Sequence, residues 1–244
     1  MAKRPAAKKK TTKKKPKVDL SKIAADLAST LKEDHVVQLD DSNLTQSRPH
    51  ISTGSVALDY LIGGRENENG VRPCPGIPRG TITMIYGLPA SGKTTIALQT
   101  CASVIAEGGT ALYIDWENEV DPMYASKLGV PVTDQSKFVL VQPDTLETGI
   151  KYLIKMAQGG VDLVVIDSVG AAVPKSVFER SVDDVAPVAA LTRKWSDLLP
   201  KIKKIVSKFN IAVIGISQPR ETIGGMGGFG AGPTNSHRPL ASSI

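Results

Sequence analysis

The chain has 244 residues, 41% of them hydrophobic and 22% charged, which is enough for a sizeable soluble α/β core with extensions. No apolar run reaches the length of a membrane span and no secretory-type segment opens the chain, so no membrane partner and a cytoplasmic location are expected. Two cysteines, Cys74 and Cys101, are too few for a disulfide framework or a cysteine-built metal site, and the net charge of +6 is unevenly placed.

Nine of the 30 basic residues fall within residues 1–18 (Lys3, Arg4, Lys8, Lys9, Lys10, Lys13, Lys14, Lys15 and Lys17), where there is no acid. The other 21 face 24 acidic residues, so the body is net negative by three. A lysine-rich tail with Pro5 and Pro16 cannot bury apolar surface and is expected to be disordered. Three roles are open for it: a tether to a polyanion such as DNA, a nuclear import signal at 3–10, or a solubilising extension.

Asp19 or Ser21 can cap a helix whose apolar residues Leu20, Ile23, Ala24, Leu27 and Leu31 keep helical spacing. This helix is too short for a core of its own and must dock on the body or on a neighbouring subunit. Residues 36–50 read as linker, with a turn at Asp40-Asp41-Ser42-Asn43. From residue 51 onward strands and helices alternate. Strands are expected at 81–86, 111–115, 138–141, 161–167 and 211–217, and helices at 95–106, 122–128 and 146–157. A helical region at 185–208 contains Pro200, which should kink or end it. This alternation implies an α/β fold with a mostly parallel sheet and helices on both faces. Residues 223–235 are too glycine-rich to hold one conformation unaided. The expected division is a tail at 1–18, a helix and linker at 19–50, a core at 51–219, and a glycine-rich loop and terminus at 220–244.

Residues 87–94, Gly87-Leu88-Pro89-Ala90-Ser91-Gly92-Lys93-Thr94, match the phosphate-binding loop pattern G-x-x-x-x-G-K-[ST] in full. The loop leaves a strand and opens a helix, which turns backbone N–H groups toward a polyphosphate. Lys93 can reach the β- and γ-phosphates, and the Thr94 hydroxyl can sit on Mg²⁺. Thr95 is counted with the same site. This is the signature of a nucleoside triphosphate site. Asp167 closes the apolar run Leu163–Ile166 as a second nucleotide motif should, and would hold Mg²⁺ through a water. Hydrolysis needs a group to orient and deprotonate water, and Glu117 in Asp115-Trp116-Glu117-Asn118-Glu119 is the best-placed candidate. Gln218, directly after the last strand, can contact a γ-phosphate.

Several segments carry a resemblance to one family. Ile51-Ser52-Thr53-Gly54-Ser55 with Leu58-Asp59, the stretch Ile114-Asp115-Trp116-Glu117 with Asp121 to Val130, Gln142-Pro143-Asp144-Thr145, and Val165-Ile166-Asp167-Ser168-Val169 together resemble RecA recombinases. The similarity covers about 51–235 and looks like that of a divergent, phage-type or UvsX-like member. An added stretch, Arg65 to Pro75, lengthens a loop ahead of the phosphate loop. The resemblance implies a RecA-like phosphate-loop ATPase core, ATP and Mg²⁺ as cofactors, single-stranded DNA as partner, and a helical homo-oligomeric filament. It implies Glu117 as general base, Tyr124 stacked on adenine with Asp121 near the amino group, and Gln218 coupling nucleotide state to DNA. The first DNA loop would run from about Lys175 to Pro187 and include Arg180. The second would run from Glu221 to Thr234, with Arg220 on phosphate and Met226 and Phe229 between bases. The helix near 20–31 would dock on the next subunit.

The departures from that pattern are specific. Ser217 stands where Asn is usual before Gln218. The first loop, Ser176 to Asp184, has three acids against Arg180. The chain stops after the second loop, where the resemblance implies further strands, so the phosphate-loop strand should stand at an apolar sheet edge. A second chain could supply those strands. Two function classes follow: a DNA-dependent ATPase that promotes strand exchange, or a truncated subunit that binds ATP and DNA and regulates filaments. A hexameric helicase-type motor fits the Asp121–Val130 match poorly.

Overall fold

The computed structural model describes residues 19–31, 46–181 and 190–219. It contains two units, helix α1 (Leu20–Leu31) in one and the body from Thr45 onward in the other. The Asp19 carboxylate caps α1, accepting from the Ser21 N–H at 3.2 Å and its hydroxyl at 2.6 Å. That is one of the two caps the sequence offers.

The body opens with a two-stranded antiparallel ribbon, β1 (His50–Ile51) with β2 (Ile77–Pro78), and between them α2 (Val56–Gly63). The Ser52-Thr53-Gly54-Ser55 motif is a knot around Asp59. That carboxylate accepts from Ser52 Oγ at 2.6 Å, Thr53 N at 2.9 Å and Thr53 Oγ1 at 2.6 Å. Ser55 caps α2 through Leu58 N.

The main sheet contains β3 (Ile82–Tyr86), β4 (Ala111–Asp115), β5 (Phe138–Val141), β6 (Leu163–Asp167) and β7 (Ala212–Ser217). Its order is β3-β7-β6-β4-β5 and every pairing is parallel. The helices are α3 (Lys93–Ala106), α4 (Pro122–Lys127), α5 (Leu146–Gln158), α6 (Lys175–Phe178) and α7 (Ala190–Lys208). The expected α/β fold with a parallel sheet is therefore present. Every residue of β4, β6 and β7 is buried, as strands covered on both faces must be. Alternate residues enter separate cores. Leu112, Ile114, Val164, Ile166 and Val213 pack with α5 and α7, whereas Ala111, Tyr113, Leu163, Val165 and Ile214 pack with α3.

Several boundaries differ from the sequence reading by one or two residues: β3 starts at Ile82, β6 at Leu163 and β7 at Ala212, whereas α4 ends at Lys127 and α5 at Gln158. α3 starts at Lys93, two residues earlier than expected, because the left-handed Gly92 (φ 84°) sets the helix entry. Pro200 does not end α7, which runs on to Lys208. Proline leaves the Ser196 carbonyl without its helical N–H, at a cost of about 3 kcal/mol. The buried face Trp195, Leu199, Ile202 and Val206 packs on the sheet and offsets it, at roughly 1.5–3 kcal/mol for each large side chain buried. β3 stands at the end of the sheet, half-buried, with β7 its sole strand partner among the described residues. The tail at 1–18, most of the 36–50 linker, the end of the first loop at 182–187, Arg220, Met226, Phe229 and the loop 221–234 lie outside the described residues.

One position in this core leaves no room. A Cβ on Gly149 in α5 would lie 2.3 Å from Trp116 Cζ2. Gly149→Ala is expected to force the indole or the helix aside and destabilise the protein by about 1–3 kcal/mol. Thermal melting checks this; an unchanged midpoint would show that the indole has other room.

Candidate active site

The carboxyl ends of β3, β4, β6 and β7 meet at one cleft of about 360 Å³. It is lined by residues 89–95 of the phosphate loop together with Glu117, Glu119, Val120, Asp167, Ile216 and Gln218. Such a crevice at the strand ends is where open α/β sheets place ligands. The loop curls around Lys93, whose side chain lies within it and is only 7% exposed. Its ammonium donates to Leu88 O at 2.7 Å, leaving further N–H donors for an anion. Ala90 (φ 59°) and Gly92 hold positive φ and shape the concave loop, and α3 begins directly beneath it. Backbone amides, a helix N-terminus and a buried cation converge here, the composition of a phosphate site.

Opposite the loop, a strand-end carboxylate and two hydroxyls interlock. Thr94 Oγ1 donates to Asp167 Oδ2 at 2.9 Å, and the Tyr113 hydroxyl donates to the same oxygen at 2.6 Å. Burial raises the Asp167 pKa above the ordinary carboxylate value, and nearby Glu117 and Asp115 add to the rise. The hydrogen bonds from Tyr113 and Thr94 only partly counter it. A buried carboxylate that resists ionisation gains from a cation beside it. The Thr94 hydroxyl and the Asp167 carboxylate fit Mg²⁺, a hard cation that takes a few protein oxygens and completes its shell with water and phosphate oxygens.

Glu117 reaches the cleft from the loop after β4, and its Oε1 accepts from the Ser168 hydroxyl. Asp115 shapes that loop. It is buried and accepts from Glu117 N and Val120 N, each at 3.2 Å, and from Gln142 Nε2 at 3.1 Å. Just after Glu117, Asn118 takes a left-handed φ of 55°, which turns the chain back. Gln218, from the end of β7, lies on the same cleft.

Tyr124 sits farther out, its hydroxyl 2.9 Å from Thr95 Oγ1, so α4 touches the start of α3. Asp121 caps α4, accepting from Met123 N at 2.8 Å. Neither lines the cleft itself. Lys175 and Arg180 are placed on and just after α6, away from the cleft lining. Lys175 pairs with Glu179 at 3.4 Å, and Arg180 Nε donates to Ser176 O at 3.1 Å.

Glu147, at the start of α5, fastens this segment. Its carboxylate accepts from Lys175 N at 2.8 Å and pairs with Lys194 Nζ at 3.1 Å, tying α6 and α7 to α5. Burial pushes its pKa up, but hydrogen bonds from the Lys175 and Glu147 backbone and from Lys194 outweigh this and hold it below the usual value. A carboxyl whose pKa is lower folded than unfolded adds stability above the unfolded value and loses it as pH falls through the folded one. Glu147→Gln is therefore expected to melt below wild type at neutral pH and to converge with it below the ordinary glutamate range. A gap that persists at low pH would remove the ion pair from the account.

Sequence reasoning missed Tyr113 and the Asp115–Gln142 contact. A tyrosine inside a fully buried strand was the available signal, since its hydroxyl must find a partner.

A family model described as the RecA N-terminal domain matches residues 19–238. The chain belongs to the RecA family. Its identity to individual RecA proteins lies close to 40%. It is 39% identical to Protein RecA of Laribacter hongkongensis over 194 residues, covering 79% of this chain and 51% of that protein. With Protein RecA of Latilactobacillus sakei the identity is 41% over 179 residues, 73% of this chain and 46% of the other. With that of Lactiplantibacillus pentosus it is 42% over 179 residues, 73% and 44%. The chain spans about half the length of these RecA relatives. No helix among the described residues is long and apolar enough to cross a membrane.

Proposed function

We propose that this RecA-family chain is a DNA-dependent ATPase that binds single-stranded DNA as a filament and serves recombination and repair. The observation that carries the reading is the convergence of Lys93, Thr94, Asp167, Glu117 and Gln218 on one cleft at the strand ends. In this reading the loop amides and Lys93 hold the β- and γ-phosphates. Thr94 and, through a water, Asp167 would hold Mg²⁺, which would neutralise charge on the phosphates. Ser168 orients Glu117, which takes a proton from the attacking water. Gln218 senses the γ-phosphate and passes the state of the site to the residues beyond β7. Tyr124 stacks on the adenine and Asp121 faces its amino group. Lys175, Arg180 and Arg220 contact DNA phosphates, and Met226 and Phe229 separate bases. The amphipathic spacing of α1 supports docking on the next subunit. The RecA relatives lend the DNA and filament parts of this reading their support.

The test is fluorescence anisotropy of labelled single-stranded DNA with ATP, with ADP and without nucleotide. Tighter binding with ATP than with ADP is expected, and equal affinity in all three conditions would contradict the reading. The same titration in rising salt examines the basic tail. Removing residues 1–18 should flatten the slope of log affinity against log salt by about 0.7 for each phosphate the tail neutralises. An unchanged slope would make the tail an extension that does not touch DNA.

A second reading is favoured by the edge position of β3. A further strand from a second chain could pair there, and the subunit would bind ATP and DNA yet turn over only when so completed.

A further inference from the structure

The chain has two tryptophans, and they touch each other beside the cleft. Trp116 immediately precedes Glu117, and its ring lies where a side chain on Gly149 would be. Trp195 of α7 meets it edge-on, with ring centroids 6.3 Å apart and planes at 87°. Each is bound to a different part of the site. Trp116 N donates to Asp167 O at 2.7 Å, whereas Trp195 Nε1 donates to Val169 O at 3.1 Å. Val169 N in turn donates at 2.9 Å to Ile216 O, two residues before Gln218. The residue between Asp167 and Val169 is Ser168, the donor to Glu117. The ring of interactions is closed.

The two indoles differ in how they are held. Trp195 is anchored to a backbone carbonyl. Trp116 Nε1 is buried without a hydrogen-bond partner, the one such side-chain atom among the described residues. The ring is held by packing, against Trp195 on one side and Gly149 on the other. On the other side, Lys194 adjoins Trp195 and shares the Glu147 carboxylate with Lys175 N. A push on α6 thus reaches α7 through Glu147 and then Trp116 through Trp195.

We propose that the Trp116–Trp195 pair is a positioning device for Glu117, linking the α6–α7 segment to the group that activates water. The proposal rests on the reading of Glu117 as general base. It assigns the pair to turnover and not to nucleotide affinity, because neither indole lines the cleft. Misplacing a reacting group by about 1 Å costs up to ~100-fold in rate, so a partial loss of the link is expected to cost about 10-fold.

The experiment uses the 244-residue chain with Trp195→Phe, Trp116→Phe and, beside them, Glu117→Gln. ATP turnover is measured at saturating ATP with and without single-stranded DNA, with ATP affinity by equilibrium dialysis and the melting midpoint alongside. Trp195→Phe keeps an aromatic ring but loses the N–H donated to Val169. Both tryptophan variants are expected to lose about 10-fold in kcat while ATP affinity stays within about twofold. Trp195→Phe also leaves Trp116 as sole tryptophan emitter. Its emission change on adding DNA with a non-hydrolysable ATP analogue should shrink relative to wild type. Wild-type kcat in both variants, or a fall in kcat matched by ATP affinity and melting, would overturn the proposal. Glu117→Gln separates the layers: if it retains turnover, the reading of the base fails; if it is silent while the tryptophan variants are normal, the link alone fails.

Discussion

Lys93→Ala is expected to abolish ATP-dependent binding to single-stranded DNA. The ammonium is buried inside the phosphate loop, where water screens it poorly, and its donors face the cleft that Thr94, Asp167 and Gln218 share. Each charge-assisted hydrogen bond to a phosphate oxygen contributes about 1.5–3 kcal/mol. Losing two such bonds removes at least roughly 3 kcal/mol, a loss of about 100-fold in ATP affinity. The fold should survive, because the hydrogen bond given up in the chain itself is the one to Leu88 O. Equilibrium dialysis with ATP and anisotropy with labelled DNA measure the two effects. ATP-stimulated DNA binding at the wild-type level would remove the phosphate loop from the mechanism.

Glu117→Gln separates binding from chemistry. Glutamine can still accept from Ser168 through its carbonyl oxygen, so the side chain keeps its place. It cannot take a proton from water. Loss of a general base costs about 10²- to 10⁴-fold in turnover, and ATP affinity should stay near wild type. A variant that binds ATP, holds DNA and fails to release it on prolonged incubation is the expected phenotype. Turnover within a factor of about three of wild type would move the base to another residue, and Glu119 on the same cleft would be examined next.

The phosphate loop is legible in the sequence because its chemistry is local. Gly87, Gly92, Lys93 and Thr94 must be close in sequence for one turn to present them together. The strands are legible for a similar reason: runs such as Leu163–Ile166 have no polar face and must be buried on both sides. What escapes depends on which strands become neighbours. Tyr113 meets Asp167 because β4 pairs with β6, and nothing within either strand announces that pairing. The same holds for Trp116 and Trp195, which come from a loop and a distant helix. Pro200 shows a different case: of its two expected outcomes, a kink or an end, the packing of α7 on the sheet overrules the end.

Asp167 illustrates a further tension. Burial raises its pKa, so its charged form is disfavoured in the folded chain, yet the proposed chemistry needs that charge beside a cation. In the proposed reading a bound cation would offset that cost.

The most direct test is the ATP turnover of the 244-residue chain with and without single-stranded DNA, at saturating ATP and Mg²⁺. The account predicts slow turnover alone and a clear rise on adding DNA. ATP binding with a rate that DNA leaves unchanged would contradict it.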